Sequence, residues 1–397
     1  MIFSAPRFLS RMPDHLTDEQ LLHRALELAR QGINLASPNP YVGAVIVDQH
    51  GSVVGEGVYT YGGMKHAEVL ALAQAGDKAR GGTLYINLEP HSHQGRTPPC
   101  TDALIAAGIR RVVASMPDPN PKVSGTGFEK LRAARIEVEV GGLEAEARNL
   151  NEAFARYIRH GLPLVTLKAA MTLDGKIAPP GATANRIAGA PAGGWITGEV
   201  ARAHVQEQRH QSDAILVGVG TMLADDPLLT DRSGKARRRP LLRVILDSRL
   251  RLPVESRLVQ SLKGGSVYDV LVFCLAPDQN KKAELEARGV RIEQIESDDN
   301  GRVDIHRVLR RLGELEITSV MIEGGSTVNG MALASGIVDK VFLYYAPSVM
   351  GGAGAVPFAV NSGYGKPHET IRVKHPQLRR FGDDVAIEGY LRDPYGL

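Results

Sequence analysis

Apolar positions along the chain switch repeatedly between helical and strand spacing. TDEQLLHRALELARQG carries apolar residues at helical intervals behind a Thr17–Gln20 capping box and stops at Gly32. GAVIVD then reads as a buried strand, GSVVGEGV as its hairpin mate, and HAEVLALAQAG as a helix ended by Gly76. The alternation continues with GTLYINLEP (strand), CTDALIAAG (helix), RRVVASM (strand) and GFEKLRAARI, a helix before EVEVGG. LEAEARNLNEAFARYIRHG reads as one polar, amphipathic helix, after which LPLVTLKAAMT begins a fresh pattern. SDAILVGVGTML, PLLRVILDS, VLVFCLAP, ITSVMIEGG and DKVFLYYAP follow as strands with helical segments between them. Such alternation predicts layered α/β architecture rather than a bundle or a sandwich. The change of pattern divides the chain into an extension over 1–16, a first domain over 17–160 and a second over 161–397, with no internal repeat.

Charge narrows the function classes. Lys and Arg number 47 against 44 Asp and Glu, a formal +3, which argues against a nucleic-acid-binding surface. The one basic run, GKARRRP (234–240), reads as a solvated loop in preference to a phosphate patch. Two cysteines, Cys100 and Cys274, cannot form a disulfide framework and point to a reducing compartment. Cys274, inside the apolar run VLVFCLAP, reads as core. No run approaches the ~20 apolar residues of a membrane span, and the N-terminus lacks the apolar stretch of a secretory signal. The expected location is the cytoplasm.

Chemistry enters with HAE (66–68) at one helix start and PC (99–100) at another. A His-x-Glu followed downstream by Pro-Cys is the arrangement of zinc deaminases, in which the glutamate moves protons and does not bind the metal. Water needs such help, because zinc brings the pKa of its bound water from about 15.7 towards about 7. His66 and Cys100 are then ligands and Glu68 the general acid/base. Asn39, in SPNPYVG, is a turn residue or an amide that reads a flat heteroaromatic edge.

SPNPYVGAVIV, GMKHAEVLAL, LYINLEP, HQGRTPPCTDALIAAGI and DPNPKVSGTG closely resemble the deaminase half of the bifunctional riboflavin-biosynthesis deaminase/reductases. The resemblance implies a cytidine-deaminase-like three-layer domain that hydrolyses an amino group from a diaminopyrimidinone bearing a phosphoribosylamino arm. It also implies zinc held by His66, Cys100 and the residue after Glu89-Pro90. The family has cysteine there; this chain has His91. Imidazole is a competent zinc ligand at about 2.0–2.1 Å, against about 2.3 Å for a thiolate. A His/His/Cys shell leaves one net positive charge where His/Cys/Cys leaves none. His93 is a further candidate ligand, though its place in the loop favours substrate contact or packing.

The second half lacks the G-x-G-x-x-G of a Rossmann turn. It offers IEGGSTVNG (322–330), a strand running into two glycines and a helix start suited to phosphate. LKAAMTLDGKIA, GWITGEVARAHVQEQRHQSDAILVGVGTMLADDPLLTDR, PLLRVILDS, VMIEGGSTVNG and IVDKVFLYYAPSVMGG resemble the reductase half of the same family, a dihydrofolate-reductase-like α/β domain. The resemblance implies NADPH, with Ala170, Trp195, Thr197, Thr221, Asp225 and Ser248 near the dinucleotide and Gly324, Gly325, Ser326 and Thr327 at its phosphates. Around the substrate it implies Lys168, Gly193, Arg209, Leu229, Arg232 and Glu323. Gly193 stands where the family usually has serine, at the end of PPGATANRIAGAPAG (179–193), an insertion expected to form a mobile loop near the site.

The expectation is one chain that deaminates a phosphorylated pyrimidine over zinc and then reduces its ribosyl arm with NADPH, as a homo-oligomer (dimer or tetramer). Two alternatives stand beside it: a reductase whose deaminase domain is inactive because of His91, and an RNA-editing deaminase fused to a nucleotide-binding module, which the near-neutral charge disfavours.

Overall fold

A computed structural model describes residues 16–93, 98–180, 195–262, 269–360 and 370–396. Residues 1–15 of the 1–16 extension and, within the insertion, residues 181–193, Gly193 included, lie outside the described residues. The chain divides into two compact units, Met1–Glu152 and Ala153–Leu397.

In the first unit the elements run α1 (Asp18–Gln31), β1 (Gly43–Val47), β2 (Val53–Val58), α2 (Ala67–Ala75), a 3-10 turn, β3 (Thr83–Ile86), α3 (Cys100–Ala107), β4 (Arg111–Ala114), α4 (Thr126–Ala133), β5 (Glu137–Val140) and α5 (Glu144–Leu150). The five strands form one sheet in the order β2-β1-β3-β4-β5, antiparallel across β2-β1-β3 and parallel from β3 to β5. Thr17 caps α1 with the reciprocal Gln20 bond that the sequence announces. Leu21, Leu22, Ala25 and Leu28 of α1 pack on Val45, Val47, Tyr85 and Val113 of the sheet. The opposite face, with Gly55 and Gly57, meets α2, which gives the three-layer arrangement. A Cβ at Gly57 would sit 2.0 Å from the Ala67 carbonyl oxygen, and one at Gly55 2.1 Å from that of Ala71. The missing side chains let α2 lie directly on β2.

The amphipathic stretch read as one helix is two, α5 and α6 (Glu152–His160), broken at Asn151. The Asn151 side chain is fully buried and turned to the backbone of Tyr41, accepting from its N–H at 2.8 Å and donating to its carbonyl at 3.1 Å. Those bonds hold Asn151 in place at the break. From Ala153 onwards α6 belongs to the second unit, where Arg156 approaches Asp339 at 3.5 Å and His160 bonds the Gly396 carbonyl.

The second unit continues with β6 (Leu164–Thr172), β7 (Lys176–Ala178), α7 (Glu199–Gln211), β8 (Ala214–Gly218), α8 (Val219–Asp225), β9 (Leu242–Leu246), α9 (Arg257–Gln260), β10 (Val270–Cys274), α10 (Gln279–Ala287), β11 (Arg291–Gln294), α11 (Ile305–Glu314), β12 (Ser319–Ile322), α12 (Ser326–Ala334), β13 (Lys340–Ala346), β14 (Val356–Pro357), β15 (Lys374–Phe381) and β16 (Asp384–Tyr390). Nine strands make one sheet, β11-β10-β9-β8-β12-β6-β13-β16-β15, parallel from β11 to β13 and antiparallel at the β13-β16-β15 end. The central strands are buried on both faces, as parallel strands covered by helices must be. SDAILVGVGTML departs from the expected single strand: pairing ends at Gly218 and Val219–Asp225 coils into α8. A short apolar run does not distinguish the two states. Cys274 is core, as expected.

The basic run is a loop exposed at residues 234–236, as expected, but two of its arginines are engaged by the protein. Arg237 bonds the carbonyls of Arg209, His210 and Ser212 at the end of α7 and pairs with Asp231 at 2.9 Å; Arg239 lies 3.3 Å from Asp213. The Arg237 guanidinium satisfies the orphan carbonyls of that helix end. Among the described residues no helix is long and apolar enough to cross a membrane.

Candidate active sites: a metal centre and a dinucleotide cleft

Two helix starts meet in the first unit. His66 holds the N-cap of α2 in extended conformation, and Cys100 opens α3 behind Pro99. His91 follows β3, its carbonyl accepting from the Thr101 N–H at 3.3 Å. The Nδ1 atoms of His66 and His91 each lie 3.1 Å from the Cys100 Sγ. The potential ligand atoms of all three side chains fall within 4.8 Å of one another. Adjacent ligands around tetrahedral zinc sit roughly 3.3–3.6 Å apart for the usual Zn–N and Zn–S lengths. The donor set therefore fits zinc with little movement, and three protein ligands leave the fourth position of a catalytic site.

Glu68 stands in the first turn of α2, buried, with its Oε2 lacking any hydrogen-bond partner. Burial pushes its carboxyl up to about 7, where it can both take and release a proton at neutral pH. Burial also raises the Cys100 thiol, and the Glu68 charge adds to it. A dication beside that sulfur reverses the balance and ionises it. Asn39 donates to the Tyr59 hydroxyl at 2.6 Å, and the Tyr59 ring meets that of His66 edge-on at 5.3 Å. His93 stacks edge-on to His91, with ring centroids 5.3 Å apart, and the ligand cluster is formed without it.

Glu89 was not singled out in the sequence, and it organises the far wall. Its carboxylate accepts from the N–H groups of Asp118, Gly125 and Gly127 at 2.8–2.9 Å, fixing the DPNPKVSGTG loop against the strand end that leads to His91. A carboxylate followed by proline, just past a strand, is its only sequence mark. Tyr59 carries no mark at all.

In the second unit a cleft of about 1210 Å³ opens along the carboxyl ends of β9, β8, β12 and β6, the usual place for a ligand in an open parallel sheet. Lys168, Ala170, Trp195, Thr197, Arg209, Thr221, Asp225, Arg232, Ser248, Glu323, Gly324, Gly325, Ser326 and Thr327 all line it. Gly324, at φ +81°, turns the chain from β12 towards α12, and the Thr221 hydroxyl accepts from the Gly325 N–H at 3.1 Å. The Ser326 Oγ at the start of α12 is buried without a partner, so the helix start offers amides and a hydroxyl together. Trp195 is half exposed on the cleft with the Arg202 guanidinium 5.5 Å above its ring.

A buried charge cluster closes one end. Arg209 grips both oxygens of Glu323 at 2.7 and 2.8 Å and the Thr230 carbonyl at 2.9 Å, while Lys168 lies 4.0 Å from Glu323. Burial works to raise the Glu323 carboxyl, but Arg209 and Lys168 outweigh it and hold it at about 2. Burial lowers Lys168, with Glu323 opposing. Arg209 thus has much of its guanidinium fork committed within the protein, whereas the Arg232 backbone is positioned by the Gln206 side chain. Leu229 stands apart from the other residues: its side chain is in the core with Ile215, Met222 and Leu241.

Residues 16–116 match the cytidine and deoxycytidylate deaminase zinc-binding region, and residues 163–387 match the RibD C-terminal domain. The riboflavin biosynthesis protein RibD of Actinobacillus pleuropneumoniae is 40% identical over 379 residues, covering 96% of each chain. That of Escherichia coli (strain K12) is 38% identical over 383 residues, covering 94% of this chain and 99% of the relative. The chain belongs to the RibD family. Among solved structures, Acinetobacter baumannii RibD aligns with a TM-score of 0.78 at 35% identity, over 94% of this chain and 98% of that one. A Thermotoga maritima diaminohydroxyphosphoribosylaminopyrimidine deaminase/5-amino-6-(5-phosphoribosylamino)uracil reductase aligns with a TM-score of 0.76 at 36% identity over the same shares. As a RibD, this chain is a bifunctional enzyme of riboflavin biosynthesis, a zinc-binding deaminase region joined to a reductase whose fold implies a nicotinamide cofactor. The deaminase zinc-binding match contains the whole metal cluster, and the RibD C-terminal match contains every cleft residue described above.

Proposed function

We propose that the first unit hydrolyses the exocyclic amino group of 2,5-diamino-6-(5-phosphoribosylamino)pyrimidin-4-one at a working His66/His91/Cys100 zinc centre. The second unit then reduces the ribosyl arm of the product to a ribityl arm with NADPH. The observation that carries the first step is the convergence of three donor atoms within 4.8 Å beside the buried Glu68 carboxyl, whose Oε2 has no hydrogen-bond partner. When bound, zinc supplies an acidified water at neutral pH. Glu68, in the first turn of α2 directly after the ligand His66, takes the proton from the attacking water and passes one to the departing amine. Asn39, held by Tyr59, presents its carbonyl oxygen to the pyrimidine edge. His91 keeps the donor count of the family shell while leaving the ion one positive charge, so it preserves the centre where a non-ligand would abolish it.

NADPH, when bound, supplies the hydride. The Gly324–Thr327 turn holds its phosphates, with the Ser326 hydroxyl as a donor in need of an acceptor. Lys168 and Glu323 orient the sugar arm at the charged end of the cleft, which Ile177, Ala178 and Pro179 also line.

Metal content and deaminase turnover of the purified full-length chain test the reading. About one zinc per chain with turnover is expected, and His91→Cys should hold zinc at least as tightly. A chain that binds no added zinc and releases no ammonia, while still reducing the deaminated intermediate, would leave a reductase carrying an inert first domain.

A further inference from the structure

The end of the cleft away from Lys168 carries three arginines, Arg249, Arg251 and Arg302, around Ser248. We infer that they form the seat for the phosphate on the adenosine ribose of the cofactor, and that Arg302 sets the preference for the phosphorylated over the unphosphorylated dinucleotide. This rests on the proposal that the cleft takes a nicotinamide dinucleotide and names the residues that decide which one.

Dimensions come first. The cleft crosses four adjacent strands, β6, β12, β8 and β9, and three inter-strand steps span roughly 14 Å at the usual sheet spacing. A dinucleotide whose reacting ring lies beside Lys168 and Glu323, with its phosphates at the β12–α12 turn, must bring its adenosine ribose to the end of β9. The substrate's own phosphate belongs to an arm that has to meet the reacting ring, at the opposite end.

Local structure then shows why the arginines gather there. After β9 the chain turns at 247–252, pinned by the buried Asp247, which accepts from the Leu252 N–H at 2.7 Å. Leu250 and Leu252 are buried in the core, and the intervening Arg249 and Arg251 are exposed on the cleft side. Arg302 arrives from a separate hairpin. Asp298 accepts from the N–H groups of Asn300 and Arg302, and the Val303 N–H bonds the Ser248 hydroxyl at 3.2 Å. That last bond ties the Arg302 segment to the strand end where the ribose must lie.

Arg302 Nη1 is buried and has no hydrogen-bond partner. A buried guanidinium donor left unsatisfied is costly, and an anion in the cleft relieves it. Sites that take the unphosphorylated dinucleotide place a carboxylate on the ribose hydroxyls, whereas an arginine accommodates a phosphate there. Here the carboxylate nearest in sequence, Asp247, is fully buried, accepts from the Leu252 N–H through one oxygen and does not line the cleft, which leaves the arginines to face the ribose.

Steady-state reduction of the deaminated intermediate by the full-length enzyme, with NADPH and with NADH, tests the inference. Binding of 2′,5′-ADP against 5′-AMP gives a readout without turnover. In Arg302→Ala the ratio of kcat/KM for NADPH over NADH should fall by about tenfold or more, the scale of one lost charge-assisted bond. The advantage of 2′,5′-ADP over 5′-AMP should shrink in parallel, and Arg302→Lys should recover part of both. A ratio that stays within about twofold of wild type in Arg302→Ala and Arg251→Ala overturns the inference. So does a variant that raises only the KM of the pyrimidine, which would give the seat to the substrate phosphate. If neither dinucleotide supports reduction by the wild-type chain, the dinucleotide reading of the cleft fails first, and this inference with it.

Discussion

In the metal centre the three ligands and Glu68 all come from between residues 66 and 100, on two helix starts and the stretch between them. In the reductase cleft the lining residues run from Lys168 to Val356 and come from the ends of four strands, from α7 and from the connecting loops. The first arrangement concentrates its chemistry in ligand types that little else requires at such positions. The second spreads it over amides, hydroxyls and one buried ion cluster, each of which has an ordinary structural use as well. A compact centre is therefore vulnerable at one atom, whereas a distributed cleft is vulnerable where its charges balance.

Glu68→Gln tests the compact side most severely. The amide keeps the shape and cannot carry a proton, so deamination should fall by about 10²–10⁴-fold, the usual worth of a positioned acid/base. Reduction of the already deaminated intermediate should stay within about twofold, because Glu68 lies in the other unit. Ammonia release and NADPH oxidation, measured separately on the same preparation, give both figures. Equal loss of the two activities would show that the sites are not independent.

The same contrast governs what could be read in advance. His66, Glu68 and Cys100 were legible because metal chemistry restricts residue type and spacing together. His91 was legible as a substitution that keeps the donor count. Glu89 and Tyr59 were not, since their roles come from contacts with Gly125 or Asn39 that no local pattern encodes. In the second unit the central strands announced themselves by continuous apolar runs. The β15–β16 hairpin did not: β15 is exposed almost throughout and lacks the alternation that marks a half-buried strand. Arg237 looked like solvated charge because the carbonyls it satisfies lie at the end of α7. Asn151 sat inside a helical pattern, and only its bonds to Tyr41 tie it to the break between two helices.

Glu323→Ala probes the distributed side. Removing the carboxylate leaves Lys168 and Arg209 buried together without their counter-charge, and breaking a buried pair in this way costs about 3–5 kcal/mol. The loss should appear in denaturant unfolding of the second unit, with reductase activity lost alongside. The pH dependence has a definite sign. Glu323 is held at about 2, below its ordinary 4.5, so its contribution is complete above about pH 4.5 and is lost as the pH falls through about 2. The stability gap between wild type and variant should accordingly narrow on acidification below about pH 4.5. A gap that is constant or widens there would mean that Glu323 does not act as the buried anion of the cluster.

The smallest effect tests whether the compact centre depends on backbone packing as well as on its ligands. In Gly57→Ala the new Cβ would lie 2.0 Å from the Ala67 carbonyl oxygen and 3.0 Å from the Ala71 nitrogen, both backbone atoms of α2. Neither can rotate away, so α2 must lift from β2, at a cost of about 1–3 kcal/mol for overpacking. Ala67 lies between His66 and Glu68, so the lift moves a metal ligand and the proton carrier as one body, away from His91 and Cys100. Zinc competition against a coloured chelator should show affinity reduced by about tenfold, the lower range for disturbing the support of a metal ligand. Reductase kinetics should stay within about twofold of wild type. If the first unit loses stability while zinc affinity holds, the donors are positioned from the α3 side, and close packing of α2 on β2 serves the fold alone.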